Sequence, residues 1–231
     1  LASTQNSAGF AEMFETVIFD WDGTLADTRL AVVASFQKAL KEINCNISDE
    51  FIERRIGTGS AETFREILRS TKTPFDEALI KRLVERKIQT EIELASWVKL
   101  FPGALALLEA LQGKIRLGLA SMNNRRVITH LLNQMSIRSY FDAVLTADDI
   151  AHSKPNPEIF LKCASQLKSA PDKCVVVEDS IFGVNAAKAA GMKCIAVLTG
   201  VYGEAELEKE KPDLIVKSLT EKSRIISFVL A

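Results

Sequence analysis

Five stretches of the chain are apolar almost without interruption: TVIFD at 16–20, IRLGLAS at 115–121, AVLT at 143–146, CVVVED at 174–179 and CIAVL at 194–198. Continuous apolarity, as opposed to alternation, marks strands covered on both faces, as in a parallel sheet with its crossover helices above and below. Between these runs the apolar positions fall at helical spacing over 103–112, 124–135, 156–168 and 181–190. The alternation of the two patterns predicts an open, mostly parallel, Rossmann-like α/β sheet.

The interval between the first two strands breaks the alternation. Leu30, Val33, Phe36, Leu40 and Ile43 follow helical spacing, as do Phe64, Ile67 and Leu68, and then Ile80, Val84, Ile88 and Ile92. A structureless loop of that length does not suit a compact domain. Residues 28–97 are therefore expected to form an inserted all-helical cap domain, with LFPGA at 100–104 as the return linker, and 13–27 with 98–231 as the α/β core domain. Residues 1–12 have neither a basic start nor an apolar stretch of signal-peptide type, and are expected to be a disordered or non-native tail.

Composition narrows the function classes. With 29 basic and 30 acidic residues and a net charge of −1, the chain has no electrostatic footprint for nucleic acid or an anionic membrane, and neither is expected as a partner. No run approaches the roughly 18 apolar residues of a membrane helix. Cys45, Cys163, Cys174 and Cys194 are scattered without metal-ligand spacing, and Cys174 and Cys194, which each open an apolar run, read as buried thiols. A reducing compartment follows, the cytoplasm or an organelle's matrix or stroma. The expected assembly is a monomer or homodimer.

In open parallel sheets ligands gather at the carboxyl ends of strands, and there the polar residues are unusual. The first strand ends in Asp20 and Asp22, which share a face of extended backbone while Trp21 points away into packing. Two carboxylates that close require either a shared proton or a cation. Gly23 permits the sharp turn that follows and Thr24 can hydrogen-bond locally; the same string also suits an Asx turn and helix cap. The second strand ends in Ser121, placed to bind an anion at a helix start or to cap that helix. Lys154 precedes two prolines at a loop–helix junction, and the fourth strand ends in Glu178 and Asp179, with Ser180 as the N-cap and Gly191 as the stop of the next helix. Together these termini offer hard oxygen ligands suited to Mg2+ beside anion-binding groups. A cation site next to an anion site is what phosphoryl transfer requires.

These segments, FDWDGTLADT, LAS, SKPNPEIF and VVVEDSIFGVNAAKAAGM, resemble the four motifs of the haloacid dehalogenase superfamily. The insertion after the first motif resembles the small helical cap of the subgroup that contains β-phosphoglucomutase and phosphoglycolate phosphatase. The resemblance implies Asp20 as nucleophile and Asp22 as general acid and base. It implies Mg2+ held by Asp20, Asp22 through its backbone carbonyl, Asp179 and Glu178, the last directly or through water. Ser121, Met122 and Lys154 would bind the transferring phosphoryl group, and Gly57, Thr58, Gly59 and Ser60 of the cap would select the substrate.

The implied activity is a Mg2+-dependent phosphatase acting on a small phosphorylated metabolite, of sugar phosphate or phosphoglycolate type, through an aspartyl-phosphate. A phosphomutase of the β-phosphoglucomutase type is the near alternative. The mutase's arginine for the second phosphate falls on Ser60 in ungapped register, and Met122-Asn123-Asn124 departs from its second motif; both points favour the hydrolase. A non-catalytic regulator that only binds a phosphate ligand is the remote alternative, disfavoured because every acid of the motifs is present.

Overall fold

The computed structural model describes residues 14–230 of the chain, so the expected tail at 1–12 lies outside the described residues. In chain order, β1 (Thr16–Phe19) leads through β2 (Ala26–Asp27) into α1 (Arg29–Lys41), α2 (Asp49–Glu53), α3 (Ser60–Ser70) and α4 (Glu77–Glu93), and the chain returns through β3 (Lys99–Leu100). Then follow α5 (Ala104–Leu111), β4 (Arg116–Ala120), α6 (Arg125–Gln134), β5 (Ala143–Leu145), α7 (Glu158–Gln166) and β6 (Cys174–Glu178). The chain closes with α8 (Ile181–Ala189), β7 (Lys193–Val197), α9 (Glu204–Lys209), β8 (Leu214–Val216) and α10 (Lys222–Leu230).

Among the described residues the main sheet has six strands in the order β5-β4-β1-β6-β7-β8, all parallel. The sequence therefore predicted the fold class correctly: an α/β parallel sheet with a helical insertion. The apolar runs are continuous because each strand feeds two cores. Val17 and Phe19 of β1 pack on one face with Leu107, Leu131 and Ile225 of α5, α6 and α10, while Ile18 packs on the other with Phe160 and Val184 of α7 and α8. The order in which strands are added reverses between β1 and β6: β1 connects outward to β4 and β6 outward to β7. That is the topological switch point, where such sheets open a crevice for ligands.

The inserted helices carry a third core of their own. Val32, Phe36, Leu40, Ile52, Phe64, Ile67, Leu68, Ile80 and Leu83 are buried together, with the rings of Phe36 and Phe64 4.6 Å apart. The outgoing and returning chain pair antiparallel as β2 and β3, Ala26 opposite Leu100 and Asp27 opposite Lys99.

The structure corrects the sequence reading at several points. LFPGA at 100–104 is no free linker, since Leu100 closes β3 and Ala104 opens α5. Leu30 is 66 % exposed and lies outside the buried face of α1 to which its spacing assigned it. Ser121 is not a helix N-cap: Asn124 caps α6, its side chain accepting from the Arg126 N–H at 3.0 Å. β8, α9 and α10 were not among the predicted elements. Ser180 does cap α8, accepting from the Gly183 N–H at 3.0 Å, and Trp21 is fully buried in the core beneath the sheet face that holds Phe19. Among the described residues no helix is long and apolar enough to cross a membrane.

The cap core makes a direct stability test. Phe64→Ala should cost about 3–5 kcal/mol, the usual range for deleting a buried aromatic ring, measured by denaturant unfolding. A loss under about 1 kcal/mol would show that this cluster does not hold the helices together.

Candidate active site

The first strand delivers its acids through backbone geometry. The Asp20 N–H still bonds to the Val177 carbonyl at 3.0 Å, which keeps Asp20 on the ladder beyond the end of β1. The chain then turns, with the Trp21 carbonyl accepting from the N–H groups of Leu25 and Ala26 at 3.1 and 3.0 Å. Gly23 has a φ of +87°, which glycine adopts without strain. A Cβ there would also collide with the Asp179 carboxylate, as would one at Gly200, so both glycines make room for that acid. Trp21 enters the core, and Asp20 and Asp22 are left buried at the sheet edge.

Asp20, Glu178 and Asp179 come together at the switch point, with one oxygen of each within 4.8 Å of the others. One cation enters the cluster. The Lys154 ammonium donates to Asp20 Oδ1 at 2.6 Å and to Glu178 Oε1 at 2.8 Å, and all four side chains are buried. Glu178 is held from behind: its Oε2 accepts from the N–H groups of Asp179 and Ser180 at 2.8 Å and from the Ser180 hydroxyl at 3.0 Å. A Cβ at Gly183 would occupy the place of this carboxylate. Asp179 accepts from the Thr24 hydroxyl at 3.1 Å.

Three carboxylates against one ammonium leave the cluster short of positive charge. Burial accordingly pushes the Asp20 carboxyl up to about 8, against the pull of Lys154. Burial, with Glu178 and Asp20 beside it, raises Asp179 well above the usual carboxylate range. The same neighbours act oppositely on Lys154, whose pKa rises through Asp20 and Glu178 despite its burial. An all-oxygen, anionic donor set with a net deficit of positive charge fits a small hard divalent cation such as Mg2+.

Asp22 stands apart from that set. Its Oδ1 accepts from the Thr28 hydroxyl at 2.8 Å and its Oδ2 from the Ser121 hydroxyl at 3.2 Å. Hydroxyls can accept as well as donate, so this pair of partners suits Asp22 with or without its proton. Ser121 is itself fixed, accepting from the Asn123 N–H at 3.0 Å.

Asp22 borders a small cavity between cap and core, lined also by Gly57, Gly59 and Ser60 of the cap and by Met122. Thr58 turns its hydroxyl to the Arg55 carbonyl at 2.8 Å and lines a neighbouring, wider cavity that also reaches Lys154. The structure thus gathers Asp20, Asp22, Ser121, Met122, Lys154, Glu178 and Asp179 at one sheet edge and sets Gly57, Gly59 and Ser60 above Asp22.

Four features escaped sequence reasoning. Thr28, which holds Asp22, sits in the sequence only as the end of LADT. Thr199 donates to the Gly23 carbonyl at 2.6 Å and Gly200 clears space for Asp179, both following β7. At the cap–core contact, Lys87 pairs with Glu91 and donates to Asn123 Oδ1 at 3.1 Å, while Asn123 Nδ2 donates to Glu91 Oε1 at 2.6 Å. The last group had a legible signal, because Lys87 and Glu91 occupy the helical register of Ile80 and Val84, where apolar residues are expected.

A crevice at the switch point, lined by paired strand-end acids, a buried lysine and a helical cap, defines a hydrolase-type α/β site. The chain belongs to the haloacid dehalogenase-like hydrolase family, whose model matches residues 17–197. It is 32 % identical to a phosphoglycolate phosphatase of Shigella dysenteriae over 89 % of each chain. A fructose-1-phosphate phosphatase of Escherichia coli is 30 % identical, over 80 % of this chain and 97 % of that one. Among solved structures, a β-phosphoglucomutase of Clostridium difficile superimposes with a TM-score of 0.80 at 28 % identity, covering 94 % of this chain and 100 % of that one.

The charge deficit gives a pH test with a fixed sign. An acid raised from 3.8 to about 8 binds more protons folded than unfolded between those values, so it removes stability as pH climbs through that window. The metal-free protein should lose melting temperature between about pH 5 and 8, and Mg2+ should restore more at pH 8 than at pH 5. An equal Mg2+ effect at both values would contradict the deficit.

Proposed function

We propose that this chain is a phosphatase that hydrolyses a small phosphorylated metabolite, of sugar phosphate or phosphoglycolate type, through an aspartyl-phosphate on Asp20. The reading is carried by one observation: two aspartates two residues apart lie in opposite environments. Asp20 faces Lys154 and the acid cluster, the surroundings of a nucleophile that a bound cation would hold ionised. Asp22 faces two hydroxyls and the cavity, the surroundings of a group that passes a proton.

Mg2+ would be held by Asp20, the backbone carbonyl of Asp22 and Asp179, with Glu178 acting through water or by holding Lys154. When bound, it supplies positive charge against the oxygens of the transferring phosphoryl group. Lys154 and Ser121 complete the anion contacts, and Met122 closes the pocket wall. A carboxylate oxygen of Asp20 attacks phosphorus, the bond to the leaving oxygen breaks, and Asp22 gives that oxygen its proton. Asp22 then takes a proton from water as the water attacks the acyl phosphate, releasing inorganic phosphate and restoring Asp20. We take residues 28–97 as the cap that covers these steps and excludes bulk water.

The family members named above that act on phosphoglycolate and fructose-1-phosphate support the class. A mutase would have to hold a second phosphate, and Ser60 offers a hydroxyl where that role calls for a cation. The four cysteines are buried free thiols, which fits a reducing compartment such as the cytoplasm.

Phosphate release from a panel of sugar phosphates, phosphoglycolate and an aryl phosphate tests the reading. Activity should require Mg2+, vanish in EDTA and return on adding Mg2+. Asp20→Asn should lower kcat by a factor of about 10³ or more with an unchanged circular dichroism spectrum. Turnover by that variant near the wild-type rate would remove Asp20 as the nucleophile.

A further inference from the structure

The two groups that a phosphate ester must reach together lie in different cavities. Lys154, which holds Asp20 and would meet the phosphoryl oxygens, lines the wide groove between the cap and the loop before α7. Asp22, placed to protonate the leaving oxygen, lines the small inner cavity, which has room for about one water molecule. No leaving group fits there as it stands. The cavity on the other flank of Asp22 adjoins Asp179, the side that a magnesium ion and its waters would take, which leaves the cap side for the ester. An ester joined to both groups therefore spans the wall between the inner cavity and the groove.

Three residues belong to both linings and form that wall: Gly59 and Ser60 of the cap, and Met122 of the core. Met122 is 4 % exposed, and its terminal methyl lies against Gly59. A Cβ at Gly59 would come 3.2 Å from Met122 Cε and 3.0 Å from Ser153 Oγ, and the φ of +96° there is one that side chains rarely adopt. Glycine thus leaves the methyl its place between cap and core.

The backbones on either side of the wall are held. On the core side, the Asn123 N–H donates to the Ser121 hydroxyl at 3.0 Å, and the Asn123 carbonyl accepts from the Ala147 N–H at 3.1 Å. On the cap side, the Gly59 carbonyl accepts from the N–H and the hydroxyl of Thr63, both at 3.0 Å. The cap itself is tied to the core on two flanks, by Lys87 donating to Asn123 Oδ1 at 3.1 Å and by the Tyr202 hydroxyl donating to the Arg54 carbonyl at 2.6 Å. Ser60 is short and starts α3, so its place follows the helix. What remains movable is the Met122 side chain, an unbranched thioether that changes rotamer and repacks readily.

We infer that Met122 sets the width of the leaving group the site accepts. Its side chain swings aside to join the inner cavity to the groove, and the space it vacates bounds what fits beside Asp22. The inference rests on the phosphatase reading above and deepens it, with the selecting side chain on the core loop after β4 and not on the cap.

Phenyl phosphate and 1-naphthyl phosphate make the test, since their leaving oxygens are similar in acidity and their rings differ in width. With Mg2+, wild-type kcat/KM should favour phenyl phosphate by about tenfold or more, the scale of effect that overpacking a closed site produces. Shortening the side chain should erase that preference in order, partly in Met122→Val and by about tenfold in Met122→Ala, whereas Met122→Leu, of similar volume, should stay within about twofold of the wild-type ratio. A general loss of packing would lower both rates and leave their ratio where it was, so a flat ratio across the folded variants overturns the inference. A wild-type enzyme that takes both esters equally overturns it whether or not any variant folds. In both cases the phosphatase reading stands. Release from neither ester by wild type or Met122→Ala also overturns the inference, and the phosphatase reading falls with it only if the panel of metabolite phosphates is silent too.

Discussion

The site depends on one imbalance. Asp20, Glu178 and Asp179 converge at the switch point of the sheet, and the only cation the described residues bring to them is Lys154. An uncompensated buried charge costs several kcal/mol, so the fold bears this arrangement through what surrounds it. Backbone N–H groups and the Ser180 hydroxyl hold Glu178, Thr24 holds Asp179, and Gly23, Gly183 and Gly200 stand where a Cβ would displace an acid. The three glycines come from three separate places in the chain, the turn after β1, the first turn of α8 and the loop after β7, and each makes room for Glu178 or Asp179. The cluster is neither a surface acidic patch nor a set of independently satisfied carboxylates.

The helical insertion gives the two aspartates different surroundings. Leaving the sheet two residues after Asp20, the chain makes one turn and starts the cap, so Thr28 at the root of α1 reaches back to Asp22. The β2–β3 pair ties the outgoing and returning strands together, fixing the base of the cap beside the site. Further out, Lys87 and Glu91 meet Asn123 from the loop after β4, and Arg54 pairs with Glu206 at 2.6 Å across the other flank. Polar contacts of this kind join two bodies that each have an apolar core.

The parallel sheet and its strand-end acids were legible in the sequence because both rest on local patterns. Strands buried on two faces must be apolar throughout, which β1, β6 and β7 display, and a charge directly after such a run stands out. Lys154 was legible only through its motif, for nothing in SKPNPEIF shows that it is buried. The paired elements β2 and β3 and the short β8 were not, since two or three residues take their structure from partners distant in sequence. Leu30 followed the helical spacing of α1 and still faces outward, because periodicity fixes a stripe but not where the stripe ends. Lys87 and Glu91 show the converse: polar residues in a buried register, whose partner Asn123 is 32 residues beyond Glu91 and cannot be read from spacing.

The central claim is that Asp20 and Asp179, crowded together in the free protein, hold protons that a divalent cation would displace. Calorimetric titration of Mg2+ at pH 7 in two buffers of different ionisation enthalpy measures this directly, because cation binding to protonated ligands releases protons. With the Asp20 carboxyl at about 8 and Asp179 raised as well, binding should release protons to the buffer, and Asp179→Asn should lower the number released. Binding with no proton release at pH 7, or no Mg2+ binding at all, would contradict the account.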